Sequence, residues 1–61
     1  MREIYKGYEL STAWDNEGLG YRFRVCGKDG GEVSRSAEPY FYEENALQGA
    51  REAADALPEQ E

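Results

Sequence analysis

The sequence predicts an α+β fold, a three-stranded antiparallel sheet with one C-terminal helix packed on one face. Three observations predict it. Residues 8–26 alternate twice in period two around an Asp-Asn-Glu-Gly turn. A Gly- and Asp-rich turn at 27–31 then leads into a third short run. Between Glu43 and Leu57 the apolar residues switch to helical spacing. At 61 residues the chain makes one domain over 1–61 and has no room for a second.

In the first strand, about 3–14, Tyr8, Leu10, Thr12 and Trp14 share one side, with Glu9, Ser11 and Ala13 on the other. Asp15-Asn16-Glu17-Gly18 reads as a turn, because Asp, Asn and Gly cap or tolerate tight backbone. In the second strand, about 20–26, Tyr21, Phe23 and Val25 alternate with Arg22, Arg24 and Cys26. The third strand, about 32–37, is Glu32-Val33-Ser34-Arg35-Ser36-Ala37. Parity then sets a register. Trp14 pairs with Tyr21, Thr12 with Phe23 and Leu10 with Val25, all on one apolar face. Pairing Val25 with Val33 puts Cys26 beside Glu32 and Arg24 beside Ser34 on a polar face. Arg35 then falls on the apolar side, which calls for a rim position or a bulge near Gly30-Gly31.

The helix, about 43–57, carries Ala46, Leu47, Ala50, Ala53, Ala54 and Leu57 within about 120° of arc, a narrow stripe suited to lying on a sheet. Glu43 and Glu44 in its first turn suit the helix dipole, and Pro58 ends it. Gly49 sits in the interior, where glycine costs about 1 kcal/mol against alanine, so a neighbour is expected to press against it.

Composition narrows the function. With no His and a single Cys, Cys26, the chain has no Cys/His zinc site, no disulfide framework and no His-based triad. Cys26 is the one nucleophile to weigh, with Arg24 two residues away as its possible activating cation, but no His serves as base. A structural thiol and a non-enzymatic protein are the reading preferred, with no catalytic, cofactor or metal site. Asp15-Asn16-Glu17 lacks the alternating ligands and distal Glu of a calcium loop. The free thiol and the absence of a signal segment or apolar span point to a cytoplasmic protein that does not engage a membrane.

The charge is uneven. Residues 1–37 carry six bases (Arg2, Lys6, Arg22, Arg24, Lys28, Arg35) against six acids, whereas residues 38–61 carry seven acids against Arg51 alone. The net −6 therefore belongs to the C-terminal segment. It repels phosphate backbones and suits either a solvated helix face or a basic protein partner. A double-stranded-RNA module needs a basic helix N-terminus, where this chain has Glu43 and Glu44. Single-strand binding needs aromatics beside Arg22 and Arg24, but Tyr21 and Phe23 point to the opposite face.

A three-stranded sheet with one helix leaves a bare face and two edges, which small domains often cover by pairing with a copy of themselves. The alternation does not use Tyr5, Tyr40 and Tyr42; these either make such a contact or wrap the core margin. With Arg22 and Arg24 on the second face, they form the candidate partner surface.

Residues 20–54 resemble one repeat of the YegP-like family of small bacterial proteins. The likeness rests on Gly20-Tyr21-Arg22-Phe23-Arg24-Val25, Gly31-Glu32-Val33 with Ser36, Glu38 and Tyr40, and Ala46, Gly49 and Ala53. Asp29-Gly30 and Pro39 depart from the pattern. The opening Tyr5-Lys6-Gly7-Tyr8, with Phe41 and Glu44, is also similar to other uncharacterised proteobacterial β-β-β-α proteins, and the whole is distantly similar to the RNase-like fold of HicB antitoxins. The YegP-like resemblance implies a strand-strand-strand-helix unit that pairs with a second unit, hence a homodimer, and no assigned activity. The HicB likeness implies an antitoxin-like or nucleic-acid-associated regulator with a toxin partner.

Overall fold

In the computed structural model, which describes residues 1–58, four strands precede one helix: β1 (Arg2–Tyr5), β2 (Tyr8–Asp15), β3 (Gly20–Cys26), β4 (Glu32–Arg35) and α1 (Glu43–Asp55). Glu59 and Glu61, part of the acidic C-terminal segment, lie outside the described residues. The strands form one antiparallel sheet in the order β1-β2-β3-β4, and α1 packs chiefly on β2 and β3. The α+β class and the C-terminal helix agree with the sequence reading; the strand count does not.

The single strand expected over 3–14 is a hairpin. Lys6 and Gly7 have φ of 55° and 84°, the two left-handed residues of a tight hairpin turn. Tyr5 thereby pairs with Tyr8, and Glu3 with Leu10. A continuous strand would have left Tyr5 and Tyr8 on opposite faces; the turn brings both to the helix side.

The β2–β3 register is the one parity requires, with Leu10 opposite Val25, Thr12 opposite Phe23 and Trp14 opposite Tyr21. Leu10 and Val25 are fully buried, and with Tyr8, Phe23, Leu47, Ala50 and Ala54 they make the core. Between β3 and β4 the expected pairing holds only at Cys26–Glu32. A bulge leaves Val33 unpaired, so Val25 faces Ser34 and Arg24 faces Arg35. The bulge lies in β4 itself, beyond Gly30-Gly31. Its physical reason is Arg35: a one-residue slip moves that cation from the core side to the open face and puts a small serine against Val25.

β4 ends at Arg35, short of residue 37, yet Ser36 continues the pairing. Its N–H donates to the Phe23 carbonyl at 3.1 Å and its Oγ accepts the Phe23 N–H at 3.2 Å, inside a buried site. After Pro39 the chain returns to β3, where Tyr21 and Tyr40 exchange two 2.7 Å backbone hydrogen bonds.

α1 has no side-chain cap at Tyr42. Its regular part stops at Asp55, and Ala56 and Leu57 finish it with tighter turns onto the Ala53 and Ala54 carbonyls. The neighbour expected at Gly49 is present: a Cβ there would lie 2.5 Å from Tyr40 Oη and 3.0 Å from Phe23 Cε2. Among the described residues no helix is long and apolar enough to cross a membrane.

Candidate interaction surfaces

The uncovered face of the sheet follows directly from the register. One row across it reads Ile4, Glu9, Cys26, Glu32; the next reads Arg2, Ser11, Arg24, Arg35; a third holds Ala13 and Arg22. An acidic row thus lies beside a basic one, and the pairs form diagonally. Arg2 binds Glu9. Glu32 takes both Arg24, at 3.1 Å, and Arg35, at 2.6 Å, which offsets the repulsion of two arginines placed directly opposite. Arg22 is held by Asp15, and this contact, ahead of backbone N–H donors from Gly18 and Glu17, keeps the Asp15 carboxyl below the ordinary range. Asp15 therefore serves the turn and Arg22. A concavity of about 760 Å³ lies over Ser11, Ala13, Arg22 and Arg24.

Cys26 is half-buried on this face, with Glu9 across one ladder and Glu32 across the other. Arg24, the cation weighed as its activator, is directed to Glu32.

Of the candidate partner residues, the structure places Arg22 and Arg24 on the open face and Tyr42, 61% exposed, just before the helix. Tyr5 and Tyr40 lie at the core margin. Tyr5 donates to Asp55 Oδ1 at 2.9 Å, and the Tyr40 ring stands 6.1 Å from that of Phe23, beneath Gly49. The five residues do not form one continuous surface.

A second surface was not anticipated. At the end of the sheet near the start of α1, Trp14 stands edge-on to Tyr21 at 5.2 Å and Phe41 edge-on to Tyr42 at 4.7 Å. The Tyr21–Tyr40 pairing brings the Phe41-Tyr42 segment to this end of β3. Leu19 precedes Gly20, whose backbone approaches Pro39 and Tyr40. Sequence alternation placed Trp14 under the helix, but it is 53% exposed. α1 begins opposite Thr12, where Glu43 accepts from the Thr12 hydroxyl at 2.8 Å, and so leaves Trp14 beyond its cover. A second concavity, about 300 Å³, is lined here by Met1, Tyr42, Glu43, Glu44 and Asn45.

Among the described residues no group of three or more His, Cys, Asp or Glu is placed to hold a metal ion. No family model, curated protein or solved structure matches the chain, so the surfaces themselves carry the functional argument.

Proposed function

We propose that this chain is a non-enzymatic, cytoplasmic bacterial protein that acts by protein–protein binding and self-associates as a homodimer through the β1 edge of its sheet. The observation that carries the reading is the state of the two edges. β4 is blunted by its bulge, whereas β1 is regular. Thr12 N–H bonds to the Met1 carbonyl at 2.9 Å, so the odd residues of β1 bond inward and Arg2 and Ile4 turn their N–H and C=O outward. Ile4 is 70% exposed on the open face. Pairing β1 with its copy about Ile4 would join two sheets and bury both isoleucines.

Electrostatics favour the same approach. The net −6 lies in the C-terminal segment, while the open face balances its arginines against Glu9, Asp15 and Glu32. Joining two sheets at β1 would extend this charge-balanced face across both copies. The YegP-like resemblance, whose units pair, supports this reading, and the lone free cysteine suits a reducing compartment. Carboxylates flanking Cys26 are the opposite of the cationic setting that activates a thiol, which supports a non-enzymatic protein. The second reading, an antitoxin-like or nucleic-acid-associated regulator, draws on the acidic C-terminal segment, which suits a basic protein better than nucleic acid.

Light scattering over a wide concentration range tests the dimer. The expected mass is twice 6.9 kDa, and Ile4→Lys is expected to return it to that of one chain. A single-chain mass for the unmodified protein at every concentration overturns the proposal.

A further inference from the structure

The end of the molecule near the start of α1 holds apolar side chains that remain largely exposed despite their edge-on ring contacts. Phe41 is 79% exposed, Leu19 72%, Tyr42 61% and Trp14 53%. One exposed apolar residue is ordinary, whereas a group at one end marks a binding surface. Leu19 is the most telling of the four. Its φ of 54° lies in the left-handed region that suits Gly or Asn, so neither backbone preference nor packing accounts for a leucine there.

The rim of this end is anionic. Glu44 lines a concavity with Tyr42, and the exposed Glu17 and Glu38 lie within three residues of Leu19 and Phe41 along the chain. Glu43 is held ionised by the Thr12 hydroxyl and then by the N-terminal ammonium, which lies 3.4 Å away. We propose that this end is a docking site for a basic protein segment that presents apolar side chains along one face. Its apolar residues would seat against Phe41, Tyr42, Leu19 and Trp14, and its Lys or Arg side chains would meet Glu17, Glu38 and Glu44. The acidic rim steers such a partner in and repels nucleic acid and anionic membranes. It also disfavours a second copy of this chain, whose own rim would meet it in a two-fold contact. The site is separate from the β1 edge, so its test does not depend on the dimer.

The test titrates an amphipathic Lys/Leu helical peptide into the full chain and follows the fluorescence of Trp14, the only tryptophan. A Glu/Leu peptide, a Lys/Ser peptide and anionic vesicles are the comparisons. Leu19→Asn and the double substitution Phe41→Ser, Tyr42→Ser change exposed residues outside the core, and circular dichroism checks their folding. The Lys/Leu peptide is expected to saturate, and both variants to bind it at least about tenfold more weakly. Five results overturn the proposal: no Lys/Leu binding at about 1 mM; equal binding of the Glu/Leu or Lys/Ser peptide; equal binding of the vesicles; undiminished binding by the double variant; or a change in solution mass on Phe41→Ser, Tyr42→Ser, which would make the patch a contact between copies.

Discussion

Gly49 and Leu19 show opposite ways in which a single residue departs from local preference. At Gly49 the departure is explained by packing. An alanine would gain about 1 kcal/mol of helix propensity, but its methyl carbon would enter the space of Tyr40 Oη and Cζ, at 2.5 and 2.9 Å. The Tyr40 ring cannot slide freely, because its backbone is bonded twice to Tyr21 and its ring lies against Phe23. Gly49→Ala is therefore expected to lose about 1–2 kcal/mol net, read by urea denaturation. Adding Tyr40→Phe, which removes the nearest clashing atom, should restore part of the loss; no restoration would show that Tyr40 is not the cause. At Leu19 no packing offsets the left-handed backbone. Leu19→Asn is expected to raise stability by about 1 kcal/mol in the same measurement, while weakening the docking site.

Among the elements, β1 is the one held to the rest of the fold by charge as much as by apolar packing. Glu3 receives two hydrogen bonds from Arg51, at 2.7 and 2.6 Å, which hold its carboxyl below the ordinary range. Lys6, then Tyr5, do the same for Asp55 one turn further along the helix, and Asp55 in turn raises the Tyr5 hydroxyl. For the carboxyls the folded value lies below the unfolded one. Their contribution is thus present above 4.5 for Glu and 3.8 for Asp, and is lost as pH falls through the lowered values. Tyr5 runs the other way: its contribution is present below 10.0 and is lost as pH rises through the raised value. The thermal midpoint is expected to be flat between about pH 5 and 9 and to fall on both sides. Glu3→Gln should shrink the acid-side fall, and Tyr5→Phe the alkaline one. Because these groups are exposed, high salt should weaken the effect.

At the scale of the whole molecule, the fold separates two kinds of surface. The open sheet face carries alternating rows of balanced charge beside a regular β1 edge. The far end carries the exposed aromatics Trp14, Phe41 and Tyr42, with Glu17, Glu38 and Glu44 exposed in the neighbouring chain segments. Ile4→Lys should abolish the dimer and leave peptide binding intact, whereas Phe41→Ser with Tyr42→Ser should do the reverse. Light scattering and Trp14 fluorescence on the same samples separate the two.

The sequence by itself determined what depends on short-range periodicity. The β2–β3 register followed from the parity of Leu10, Thr12, Trp14 and Tyr21, Phe23, Val25, and the helix from its alanine stripe. Even the pressure on Gly49 was legible, because an interior helical glycine needs a reason. The Lys6-Gly7 turn was missed, and 3–14 read as one strand, since Lys-Gly is a weaker hairpin signal than Asn-Gly. Tertiary structure decided the rest. The bulge at Val33 answers to where Arg35 can find water and Glu32, and the exposure of Trp14 answers to where α1 begins over β2. Parity assigns a residue to a face, but whether that face is covered depends on an element thirty residues away.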